Sequence, residues 1–115
     1  MKLLIMILNK VDVLEDLLLE LANRQIKGAT ILSSTGMAHT LYNSSNDQEA
    51  SFFLGSIRTL LNPEREESKT ILLVLKEEQV ASAVEATEKV TGGLDKPDTG
   101  IVFTLPVDYI KGIEF

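Results

Sequence analysis

A strand–helix–strand pattern that occurs twice along the chain is the feature that most limits how it can fold. Leu3 to Leu8 is continuously apolar, which marks a strand lying against a helix layer or covered on both faces. Asp12 with Glu15 three residues on has the form of a capping box, and Leu14, Leu17, Leu18, Leu21 and Ala22 then share one helical stripe. Gly28 closes that helix or the turn after it, and Ala29 to Ser34 reads as a second strand centred on Ile31 and Leu32. The plan recurs from Thr70, with an apolar strand to Leu75. Helix formers run from Glu77 to Val90, with Val80, Ala83, Val84 and Thr87 on one face. Gly92-Gly93 stops that helix, and Ile101 to Leu105 makes a fourth strand.

Two βαβ units in series predict an antiparallel sheet with both helices on one face, the α+β ferredoxin-like βαββαβ sandwich. A chain of 115 residues suits one domain over 1–115. Val107 to Phe115 is apolar enough to add a short extra strand at a sheet edge. Residues 37–68 form an inserted segment far longer than a hairpin connection. Met37 to Asp47 is turn-rich and has no apolar period, whereas Phe53, Ile57, Leu60 and Leu61 share a helical face that Asn62-Pro63 ends. Long segments on compact domains tend to carry function. Phe52 and Phe53 there need something to pack against, either the sheet or a neighbouring subunit.

Composition narrows the function classes. A net charge of −6 argues against nucleic acid as a partner. With no cysteine and one histidine, His39, the chain lacks the ligands of common zinc sites and a thiol nucleophile. Ser33, Ser34 and Ser51 have no histidine in a triad-like setting, Glu64, Glu66 and Glu67 form a solvated charge run, and no Walker sequence occurs. An acylphosphatase-type hydrolase of this fold would need an arginine near the first strand, and Leu3 to Val13 contain none. No catalytic residue and no enzyme is expected. The run from Leu3 to Leu8 is too short for a signal peptide or a membrane span, so a cytoplasmic protein without membrane insertion is expected.

Several local sequences fall in a telling order: Lys27-Gly28-Ala29-Thr30, a second strand ending at Gly36, the long segment, and a loop from Thr91-Gly92 to Thr99-Gly100. The run Ile101-Val102-Phe103-Thr104-Leu105-Pro106-Val107 closes the series. Over essentially the whole chain this order resembles the nitrogen-regulatory PII and PII-like signalling superfamily, and a glycine followed by an apolar run ending in Pro-Val is the most specific match. The resemblance implies a homotrimeric regulatory protein with sheets facing inward around a central axis. It also implies an effector, usually an adenine nucleotide such as ATP, ADP or AMP, held in clefts between subunits. The long segment would then dock on a regulated transporter or enzyme. Carried onto this chain, the ligand-binding positions are Thr30, Gly36, Met37, Gly92, Lys96 and Gly100. The partner-binding loop holds His39, Tyr42, Phe52, Phe53 and Arg58. Bland roles compete with each assignment: Gly92 as a helix stop, Thr30 as an ordinary strand residue, Arg58 as a partner of a nearby glutamate, His39 as an exposed loop histidine. Asp95 and Asp98 suit either a Mg²⁺ ion beside a phosphate or plain turn chemistry around Pro97. The chain departs from the family pattern at Ile101, where a lysine is usual, and lacks the C-terminal arginine pair. That leaves Lys96 or Lys111 to meet a phosphate, or a ligand of lower charge. The alternative is a ferredoxin-like structural or assembly oligomer with empty clefts.

Overall fold

The computed structural model describes residues 1–43 and 67–113. The helix expected around Phe53 and Leu61, and with it Phe52, Phe53 and Arg58, lies outside the described residues. The elements run β1 (Lys2–Leu8), α1 (Leu14–Asn23), β2 (Thr30–Ser34), α2 (Met37–Asn43), β3 (Ser68–Leu75), α3 (Val80–Thr91) and β4 (Gly100–Pro106). A single 3₁₀ turn precedes α1 at Val11–Val13 and α3 at Glu77–Gln79, so the internal repeat extends to the way each helix is entered. The strands form one sheet in the order β2-β3-β1-β4. Every neighbouring pair is antiparallel, with Leu8 opposite both Lys69 and Gly100, and Ser34 opposite Ser68. This is the ferredoxin-like α+β arrangement.

Strand periodicity places the core. Leu4, Met6 and Leu8 of β1 and Ile71, Leu73 and Leu75 of β3 are buried, alternating with half-buried neighbours. Against them pack Leu17 and Leu21 of α1, Ala83 and Ala86 of α3, and Ile26 from the turn after α1. Each fully buried leucine contributes about 1.5–3 kcal/mol relative to exposure. The Thr87 hydroxyl, also buried, donates back to the Ala83 carbonyl oxygen at 2.9 Å. The two helices are tied at their outer surface by Arg24. Its guanidinium donates to Glu20 at 3.1 Å, to the Ser82 carbonyl at 3.2 Å and to Glu85 at 3.0 Å, while Lys89 reaches the same Glu20 carboxylate at 3.2 Å. These cations, Arg24 first, hold the Glu20 carboxyl below the usual carboxylate range.

Three details differ from the sequence reading. The capping box at Asp12 and Glu15 does not form. Backbone bonds make the 3₁₀ turn, Val11 N–H to the Asn9 carbonyl and Val13 N–H to that of Lys10, so α1 starts at Leu14 with no side-chain cap. Met37–Asn43, read as irregular, is a helix, opened by the Gly36 carbonyl oxygen, which accepts the Thr40 N–H at 3.0 Å and its hydroxyl at 2.9 Å. Val107 to Ile113 forms no extra strand. β4 ends with Pro106 opposite Lys2, and past it the Val107 N–H makes a last bond to the Met1 carbonyl oxygen at 3.2 Å.

Candidate functional site

Three features on this framework can engage a ligand or another protein: the sheet face turned away from α1 and α3, the Gly92–Gly100 loop, and a recess at the opposite end of the sheet. The outer face follows from strand alternation. Leu3, Ile5 and Ile7 of β1 sit opposite Leu105, Phe103 and Ile101 of β4, and opposite Val74, Leu72 and Thr70 of β3. Toward the sheet margins this surface opens to solvent, with Ile101 55%, Phe103 40%, Leu105 47% and Leu32 49% exposed. It carries no charge among these residues, unlike the solvent face of an ordinary antiparallel sheet, which alternates apolar with polar. Beside Leu32 it ends in a hydroxyl cluster, where Ser34 Oγ lies 2.8 Å from both Ser68 Oγ and Thr70 Oγ1.

The loop after α3 is tied down at several points. Gly92 adopts the left-handed conformation, φ +84°, that ends a helix, and its N–H bonds the Glu88 carbonyl oxygen at 3.0 Å. The Gly93 N–H goes to Thr91 Oγ1 at 3.3 Å and the Leu94 N–H to the Glu88 carboxylate at 2.8 Å. At the other end of the loop the Thr99 carbonyl oxygen accepts N–H bonds from Asn9 at 2.9 Å and Lys10 at 3.1 Å. Two ammonium groups converge beside the helix end: Lys10 Nζ is 3.4 Å from the Thr91 carbonyl oxygen, and Lys96 Nζ is 3.4 Å from where a Cβ on Gly92 would stand. Both offset the negative pole of the α3 C-terminus.

The recess has a volume of about 330 Å³. It is lined by Lys27 and Gly28 from the turn before β2, Val74 and Lys76 at the end of β3, Gln79 at the entry to α3, and Ile113 of the tail. Its chemistry is amphipathic, an apolar floor rimmed by two lysines and an amide.

The expected ligand residues divide among these places. Gly92, Lys96 and Gly100 come together in the loop. Gly36 and Met37 follow β2, Met37 as the first residue of α2, at the same end of the sheet but beside the opposite edge strand, about 14 Å away at about 4.8 Å per strand spacing. Thr30, opposite Leu72, sits at the far end of β2, about 13 Å along the strand from Ser34 and near the recess. Lys111 belongs to the tail beyond β4, at the end away from the loop. Of the partner-loop residues, His39 is on α2 and 5% exposed, so the expectation of an exposed loop histidine is corrected; Tyr42 belongs to the same helix. Lys10, Glu88 and the recess were missed. The sequence signal that points to the recess is Lys27-Gly28; Lys10 reaches the loop through a tertiary contact, and Glu88 through a local one, six residues before Leu94. Among the described residues no group of three or more His, Asp or Glu is placed to hold a metal ion, and no helix is long and apolar enough to cross a membrane.

No family model and no curated protein matches the chain. Among solved structures the chain is similar to that of a functionally unknown protein from Pediococcus pentosaceus ATCC 25745. The identity is 19% and the TM-score 0.62, covering 97% of this chain and 96% of that one. The likeness is one of fold, and it runs over the whole ferredoxin-like domain.

Proposed function

We propose that the protein is a non-enzymatic, trimeric PII-like sensor. It binds a small metabolite, an adenine nucleotide, between subunits and regulates a partner protein through the 37–68 segment. The observation that carries this reading is the uncharged outer face of the sheet. Nine apolar side chains on one face of an acidic domain call for a cover, and a second and third copy of the same face would supply one. The division of the candidate ligand residues adds support. Thr30, Gly36 and Gly100 are too far apart in one chain to meet one small molecule, so a site that uses them takes residues from two copies. The Lys27-Gly28 recess offers an apolar slot for a base, and the glycine loop with Lys10 and Lys96 offers backbone and ammonium donors for phosphate. A ligand that binds the docked and undocked states of the protein unequally would control the docking.

Native mass spectrometry tests the assembly: a trimer supports the reading and a monomer at micromolar concentration overturns it. The alternative, an assembly oligomer with empty clefts, draws on one specific observation. The Glu88 carboxylate already occupies a loop amide in the chain as it stands.

A further inference from the structure

We infer that Glu88 is an internal plug, an autoinhibitory anion that holds the Gly92–Gly100 loop shut until an effector's phosphate displaces it. The inference rests on the sensor reading above and names how its phosphate site is regulated. The Glu88 carboxylate accepts the Leu94 N–H at 2.8 Å, and the same oxygen, Oε2, lies 3.7 Å from where a Cβ on Gly93 would stand. Asp95 Oδ1 approaches that position from the other side, at 2.5 Å. Two carboxylates therefore crowd the bare face of Gly93, the face that its lack of a side chain would open to a ligand. A phosphate needs donors, and the Leu94 N–H is one; the ammonium groups of Lys96 and Lys10 stand nearby at the end of α3, beside Gly92 and on the Thr91 carbonyl oxygen. The site is thus built for an anion and filled by one of the chain's own.

A carboxylate carries one charge and two oxygens, whereas a di- or triphosphate carries more of both and outcompetes it for the Leu94 N–H. Glu88 is on the exposed side of the last turn of α3, free of the helix core, so it can swing out without unpacking Ala83, Ala86 or Thr87. Once it leaves, the Leu94 N–H is open to the incoming phosphate, and Asp95 still stands beside Gly93.

The test compares the wild-type full chain with Glu88→Gln, Glu88→Ala and the control Glu77→Gln, which removes one charge at the far end of α3. Each is titrated calorimetrically with ATP and with inorganic pyrophosphate, and the exchange rate of the Leu94 amide proton is measured. The expected result is about tenfold tighter binding by Glu88→Ala and Glu88→Gln, from the loss of one competing charged hydrogen bond. Glu77→Gln should match the wild type, and Leu94 should exchange faster in Glu88→Ala. Equal or weaker binding by the Glu88 variants overturns the plug. If ATP binds none of the proteins the sensor reading fails, and the plug is then decided without it. Pyrophosphate captured by the Glu88 variants alone, with Leu94 deprotected, supports it; Leu94 exchange unchanged in Glu88→Ala overturns it.

Discussion

Gly100 and Ile7 pack so closely that a side chain at position 100 has no room. A Cβ there would stand 2.7 Å from the Ile7 carbonyl oxygen and 3.4 Å from the Leu8 Cα, both backbone atoms of the neighbouring strand. This contact sets where β4 begins against β1, and so fixes the base of the Gly92–Gly100 loop.

Gly100→Ala therefore forces the first pair of the β1–β4 ladder apart. The expected cost is about 1–3 kcal/mol, of the size seen when well-packed sites are overfilled. Urea unfolding followed by circular dichroism checks it; an unchanged midpoint would contradict the close approach. Gly36→Ala is the matching control, since nothing lies within 4 Å of its Cβ position and its φ is not positive.

Arg24 links α1 to α3 through Glu20, Glu85 and the Ser82 carbonyl, and a lysine cannot reproduce the fork. Arg24→Lys lowers the melting temperature. The pH dependence has a definite sign. The Glu20 carboxyl is depressed in the folded state, so its stabilisation is complete above the ordinary carboxylate range and is lost as the pH falls through its lowered folded value. The stability gap between wild type and Glu20→Gln thus narrows between neutral pH and about pH 3. Thermal melts at a series of pH values measure it, and a gap that widens on acidification would contradict the assignment.

Much of the fold was legible because strand and helix periods leave different marks. The continuous apolar run of β1 and the stripe containing Leu17 and Leu21 each placed an element to within a residue or two at the core side. Gly92 was read as a helix stop, and it is one. Helix α2 was not legible, because Met37–Asn43 has no amphipathic repeat and starts from a backbone carbonyl, that of Gly36, rather than from a side-chain cap. The tail differs from its pattern: Val107, Ile110 and Ile113 are apolar enough for a strand, but the tail joins the sheet through the Val107 N–H to the Met1 carbonyl oxygen and forms no strand up to Ile113. The candidate site was legible only in pieces. Thr30 and Gly36 are close in sequence, yet an extended strand sends them to opposite ends of the sheet. Lys10 joins the loop through a fold of the chain that no local pattern records, whereas Glu88 reaches Leu94 from six residues back, across the helix stop.

The outer face yields a third prediction. Phe103 is 40% exposed and sits opposite Ile5 at the middle of that face. On the proposed assembly, Phe103→Glu places a charge in each buried copy and shifts the protein to monomers while leaving its far-UV circular dichroism intact. Sedimentation velocity reads the outcome. Leu17→Ala serves as the contrast, because Leu17 is wholly buried in the chain's own core and its truncation costs about 2–5 kcal/mol of folding stability without changing the assembly.

The most direct measurement is the heat released when ATP, ADP, AMP or a cyclic dinucleotide is titrated into the purified protein, with and without Mg²⁺. The sensor account predicts saturable binding of one of them near one ligand per subunit, weakened by Lys96→Ala or Lys10→Ala. No saturable binding of any of the four would contradict it, and the ferredoxin-like domain would then stand as an assembly module with empty clefts.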